Sequence, residues 1–173
     1  MHLIGMNLRN YLFILFMATI CNACNHKPAM ISAQPSAHLS PKDVVLSQLE
    51  ALKNNDNPSE NHGIEIIYAF STPKYRINTG SMERYIFLFQ SGDYVPLIKH
   101  KDAQVSKHFV DGQEAQFFVE ITAQDGKQKK YIFDLTKVKL AGKREVWLTE
   151  AIIPLKPGTR KPHRKENDNT IRI

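Results

Sequence analysis

The hydrophobic and polar positions along this chain change rhythm once within the body. From residue 39 to residue 90 apolar side chains recur at three- and four-residue steps. From residue 105 to residue 153 they alternate, or gather in β-branched and aromatic clusters. The first helix opens at Leu39-Ser40-Pro41-Lys42-Asp43-Val44, with Ser40 as N-cap, Pro41 in the first turn and Asp43 near the positive end of the dipole. Leu39 and Val44 have the spacing of a hydrophobic staple. Val45, Leu49 and Leu52 mark its buried face, and Asn54-Asn55-Asp56 ends it. A second helix follows Pro58-Ser59 and buries Ile64, Ile67, Tyr68 and Phe70, with Gly63 a weak point in its first turn. Thr72-Pro73 bends the chain. The spacing then predicts a third helix capped by Thr79-Gly80, with Met82, Tyr85, Ile86 and Phe89 on one face and Ser91-Gly92-Asp93 as its stop.

Strands are predicted over 105–110, 116–123, 130–139 and 145–153. Asp111-Gly112, Asp125-Gly126 and Ala141-Gly142 between them are the punctuation of consecutive hairpins. Ala115, Phe117, Val119 and Ile121 share one face; Val146, Leu148, Glu150 and Ile152 share another. Helices first and a meander afterwards predict an α+β domain, with three N-terminal helices on one face of a curved four- to five-stranded antiparallel sheet.

The first thirty residues follow different rules. Residues 11–20 carry no charge and follow a short polar segment containing Arg9, the anatomy of a secretory signal. A spanning helix needs about 20 apolar residues, and Asn22 interrupts this run well before that. Cys21 and Cys24, the two cysteines of the chain, come next. A redox C-x-x-C needs a folded helix start and a zinc site needs further ligands at suitable spacing; neither stands here. Instead "CNAC", residues 21–24, resembles a bacterial lipobox, with small Ala23 before the cysteine that receives diacylglycerol. That resemblance implies cleavage before Cys24 and a lipid anchor there. Two acyl chains attach a protein stably where one binds only marginally. Cys21-Asn22-Ala23 also fits ordinary signal peptidase, which leaves a soluble exported protein as one alternative and an uncleaved anchor as the other.

The expected organisation is a signal peptide over 1–23, a lipidated tether over 24–38, one domain over 39–155 and a basic disordered tail over 156–173. Pro28, Pro35, Ser32 and Ser36 give the tether no apolar period. Of the net charge of +6, the tail holds six cations against Glu166 and Asp168, a net +4. Arg9 leaves with the signal, so the folded body is nearly neutral and nucleic acid is not an expected partner. Arg160, Lys161, Arg164 and Lys165 have the density to meet anionic headgroups, or to be only a solvated terminus.

Three helices before a curved sheet is the order of the cystatin-like, nuclear-transport-factor-two-like folds. "AFSTPKYRINTG" (69–80), "YVPL" (94–97) and "EVWLTEAI" (145–152) resemble a bacterial and plant family known only as a domain of unknown function and assigned to that fold. The resemblance spans residues 41–154. It implies a cone-shaped space between helices and sheet, and it carries over no catalytic residue. Arg76, Thr79 and Gly80 match the family's turn, which capping and backbone freedom already explain.

Tyr68, Arg76, Tyr94, His100 and Trp147 are the candidates to line such a space, each with a packing alternative. Three classes of function follow. The first is a non-enzymatic envelope lipoprotein, facing the periplasm on a membrane anchor at Cys24, that binds a small apolar ligand or an envelope protein. The second is a small cofactor-free isomerase or hydrolase, which needs Asp134, Glu150 or His100 turned inward within reach of Tyr68 or Tyr94. The third is a structural homodimer using the sheet face, favoured by apolar residues on both faces of 131–138. No cofactor is expected. His62, His100 and His108 lack the spacing of metal ligands, and there is no glycine-rich phosphate loop or G-x-S-x-G elbow.

Overall fold

A computed structural model describes residues 31–140, 144–156 and 171–172. The signal, Cys24, the Ala141-Gly142 turn and the cluster Arg160, Lys161, Arg164, Lys165 lie outside the described residues. Helix α1, Pro41–Lys53, begins as its sequence dictates. The Ser40 hydroxyl accepts from the Asp43 N–H at 3.2 Å, and the Asp43 carboxylate accepts from the Ser40 N–H at 3.1 Å, closing a capping box. Leu39 and Val44 are both buried beside it. Helix α2, His62–Phe70, buries Ile64, Ile67 and Phe70 and packs on α1.

The next stretch differs from expectation. Residues 73–79 are a helix of their own, α3 (Pro73–Thr79), because Thr72 and Pro73 do more than bend the chain: the Thr72 hydroxyl accepts from the Tyr75 N–H at 3.0 Å, with proline in the first turn. Among the described residues four α-helices therefore stand where three were predicted. Thr79 closes α3 rather than capping the following helix, since its hydroxyl donates back to the Tyr75 carbonyl at 2.9 Å. Gly80, at φ 89°, makes the corner. Ser81 then takes the N-cap position of α4, Met82–Phe89, and a 3₁₀ turn, Gly92–Leu97, leads to the sheet.

Strands β1 (Asp102–Val110), β2 (Glu114–Thr122), β3 (Gln128–Lys139) and β4 (Glu145–Leu155) form the antiparallel meander, and β5 (Ile171–Arg172) pairs with β1 at Gln104 and Val105. The order across the sheet is β4-β3-β2-β1-β5. Helix α1 lies over β1, β2 and β4, and the core forms where Leu46, Leu49, Ile67 and Phe70 meet Val105, Phe117, Val119, Phe133 and Leu135. Burying each such side chain contributes about 1.5–3 kcal/mol.

Ala115, Phe117, Val119 and Ile121 share the buried face, as alternation predicted. The grouping of Val146, Leu148, Glu150 and Ile152 is corrected. Asp134 pairs with Ala151 but Leu135 pairs with Thr149, so Glu150 is the extra residue of a β-bulge and the strand changes face there. Trp147 and Thr149 point to the helices before the bulge, in register with Lys137 and Leu135; Ile152 does so after it, opposite Phe133. The edge of β4 is covered by side chains and by the chain before α3. Thr72 donates its N–H to the Thr149 carbonyl at 2.9 Å, and the Tyr94 hydroxyl donates to the Ile152 carbonyl at 2.9 Å.

Candidate functional site

Three of the five expected pocket residues belong to one aromatic stack between the helices and β4. Tyr68 meets Tyr85 edge-on at 5.1 Å, Tyr85 meets Phe89 at 5.0 Å, and Phe89 meets Tyr94 at 5.3 Å. Tyr75 joins from α3, 6.2 Å from Tyr85. The Arg76 guanidinium lies 5.6 Å from the Tyr68 ring centre, a cation–π pair. Sequence reasoning read Tyr85 and Phe89 as core and passed over Tyr75. Their helical spacing was the available signal, and it does not distinguish a core from a cavity wall.

The hydroxyls of this stack have structural partners. Tyr85 shares a hydrogen bond with the buried Ser71 hydroxyl at 3.2 Å, and Tyr68 donates to the Gly80 carbonyl at 3.4 Å. Burial pushes the hydroxyls of Tyr75, Tyr85 and Tyr94 above the ordinary phenol range, so they remain neutral donors. Trp147 stands apart, with the Lys137 ammonium 5.2 Å from its ring centre.

The three acid–base candidates are held in other places. Glu150 accepts from the Thr72 hydroxyl at 2.9 Å and pairs with Lys74 at 2.9 Å. Asp134 accepts from the Gln116 amide at 2.6 Å, across the face of the sheet that α1 does not cover. His100 is buried behind the 3₁₀ turn, its Nδ1 2.9 Å from the Leu97 carbonyl. None of the three hydrogen-bonds to Tyr68 or Tyr94, whose hydroxyls go to Gly80 and Ile152.

His100 makes a pH prediction. Its Nε2 is buried and has no partner among the described residues. Desolvation pulls its pKa below the ordinary 6.5, and Lys53 adds to this while the Leu97 carbonyl and the carboxylates of Glu50 and Asp102 oppose it. The fold therefore keeps the ring neutral. As pH falls through 6.5 the unfolded chain takes up a proton that the folded one refuses, and stability drops. Thermal denaturation followed from pH 8 to pH 5 should show a melting temperature that declines below about pH 6.5, and His100→Gln should remove most of that decline. An unchanged slope in the variant would assign the decline to other groups.

The opening of about 500 Å³ that combines apolar walls with converging charge lies elsewhere, at the end of the sheet. One wall is the 3₁₀ turn and the residues after it: Val95, 44% exposed, with Pro96 and Ile98. The other is the β2–β3 hairpin, with Ala123 at its base and Lys127 and Lys129 above. Lys99 closes the rim. It sits at φ 51°, a conformation non-glycine residues seldom adopt, pinned by its N–H donating to the Leu52 carbonyl at 2.8 Å. Lys129 pairs in register with Ile121, so it continues the core-facing row of Tyr131 and Phe133 past the point where the helices stop. That alternation was in the sequence as the signal of a charged residue on an inward row.

No known family profile, curated protein or solved structure matches this chain. Among the described residues no cluster of His, Cys, Asp or Glu could hold a metal ion, and no helix is long and apolar enough to cross a membrane. A second opening of similar size lies on α3 and α4 beside Phe87, which is 71% exposed, with one acidic and one basic residue, Glu83 and Arg84. The groove at the sheet end has the firmer frame: a hairpin, a pinned backbone and a 3₁₀ turn that packs on both α1 and α4.

Proposed function

We propose that this chain is an exported envelope lipoprotein, held to the membrane through a diacylated Cys24. Its cystatin-like, nuclear-transport-factor-two-like domain binds a small, largely apolar ligand and does not transform it. The order of helices and meander supports that fold reading. The observation that carries the functional reading is the groove between the 3₁₀ turn and the β2–β3 hairpin: an apolar floor open to solvent, ringed by polar groups on rigid elements. The tyrosine hydroxyls, Asp134 and Glu150 all serve structural hydrogen bonds, which leaves them poor candidates for proton transfer.

A second reading, homodimerisation through the sheet, draws support from Ile132 and Ile153. They are neighbours on the face away from α1, and Ile153 is 41% exposed. Sedimentation of the purified chain separates the two readings, since a ligand-binding monomer keeps one mass across the concentration range. The anchor has its own test. In cells fed a radioactive fatty acid the protein should carry label, and Cys24→Ser should lose it and be released from the membrane fraction. Label retained by the variant would place acylation at another residue and refute Cys24 as the site.

A further inference from the structure

We propose that the groove at the sheet end is specific for a small anionic amphiphile, a molecule with one acidic group on a short apolar body. This rests on the reading of the groove as the ligand site and names the class of ligand. The argument is charge complementarity over an apolar floor. Lys99, Lys127 and Lys129, with the one carboxylate of Asp125, line the groove around Val95, Pro96, Ile98 and Ala123.

Two of the three have local counter-charges. Lys99 pairs with Asp56, and Lys127 pairs with Asp125 at 2.8 Å. Asp125 is in turn committed to its own hairpin, accepting the Lys127 N–H at 3.0 Å. Lys129 has no ion pair among the described residues, so the rim keeps an uncompensated positive charge on the row that faces inward. Exposed ion pairs such as Lys99–Asp56 contribute about 0–1 kcal/mol, so an incoming acid can share those ammonium groups at little cost. The ammonium is a point charge with three donors, which suits a carboxylate or a phosphate equally.

A neutral apolar ligand would leave that charge unanswered, and a bare inorganic anion would leave the floor exposed. A molecule with both parts satisfies the site. The apolar body would cover Val95 and Ile98 while the head meets Lys129 and Lys127.

Equilibrium dialysis of radiolabelled octanoate tests this, with the full chain held in uncharged phosphatidylcholine nanodiscs and empty discs subtracted. Octanoate should bind saturably. Labelled 1-octanol should bind about tenfold more weakly, and Lys129→Gln and Lys127→Gln should each weaken octanoate by about three- to tenfold without changing octanol. Val95→Gln should weaken both ligands. Octanol binding as tightly as octanoate, with both reduced by Val95→Gln, would overturn the acidic class while leaving the groove as the ligand site. Octanoate binding unaffected by all three variants would place it outside the groove and overturn both readings, as would the absence of saturable binding by either ligand. Floating the Cys24→Ser chain, which lacks the lipid, with phosphatidylglycerol vesicles separates the remaining source of such a head: flotation abolished by a further Lys129→Gln, without octanoate binding, would assign the rim to a bilayer surface and overturn the small-ligand proposal.

Discussion

Gly63→Ala lowers the unfolding free energy by about 3 kcal/mol or more, against the usual gain for replacing a helical glycine. Alanine is the better helix former by about 1 kcal/mol, and nothing in the backbone of Gly63 forbids it. The obstacle is α1. A Cβ at residue 63 would overlap the Ala51 carbonyl oxygen and lie 2.7 Å from the Ala51 carbonyl carbon and 2.9 Å from the Asn55 Cα. All three atoms are backbone and cannot rotate away. The helices would have to part, and the bonds that seat α2 would go with them: the Gly63 N–H to the Asn55 carbonyl at 2.9 Å and the Ile64 N–H to the Asn55 side chain at 3.2 Å. Urea denaturation of the two proteins measures the loss. Gly112→Ala is the control, because a Cβ there meets nothing within 4 Å, and it should change stability by less than about 0.5 kcal/mol. Equal stability of Gly63→Ala and the parent chain would mean that the α1–α2 contact is looser than described.

The second large effect lies in the polar part of the core. Gln48 of α1 is fully buried and donates its amide to the Thr149 hydroxyl of β4 at 2.7 Å, while its Oε1 finds no partner among the described residues. Thr149→Val keeps the shape and removes the acceptor. The Gln48 amide is then desolvated at both ends, at a cost of about 2–3 kcal/mol. Gln48→Met with Thr149→Val should recover much of that loss, because an apolar pair of similar shape leaves no polar group stranded. A double-mutant cycle by chemical denaturation gives the coupling, expected at about 1–2 kcal/mol. Additive effects would show that the pair does not act as a unit. The same contact joins α1 to the edge strand next to Ser71, whose bridge to Thr149 fixes where the chain enters α3.

Much of this architecture was legible before any coordinates. Ser40, Pro41 and Asp43 announced α1 because capping is settled within one turn. The row Ala115-Phe117-Val119-Ile121 announced the sheet because strand side chains alternate whatever they pack against. Asp111-Gly112 and Asp125-Gly126 marked hairpins for the same local reason. Helix α3 was missed although Thr72-Pro73 is a helix start in its own right, since seven residues with no buried side chain leave no apolar period to read. The bulge at Glu150 was not legible, because one extra residue changes the face of a strand only relative to a partner.

The candidate site divides in the same way. Tyr68, Arg76, Tyr94, His100 and Trp147 were expected to line one cavity; Tyr68, Arg76 and Tyr94 join one aromatic chain through Tyr85 and Phe89, while His100 and Trp147 stand elsewhere. What they do depends on which carbonyls their polar atoms reach, and those belong to residues up to 58 positions away, as with Tyr94 and Ile152. The groove was invisible for a related reason: Val95 and Lys129 come from different elements, and although Lys129 falls on an inward row, nothing in either segment says that the two meet. Sequence by itself determined the elements, their order and the inward rows, because periodicity and capping are properties of neighbouring residues. Only the tertiary structure decided that Gly63 is a contact and not a flaw, that Glu150 turns a strand over, and that three lysines ring one apolar floor. Close approach, register and convergence are relations between distant segments, and no local pattern contains them.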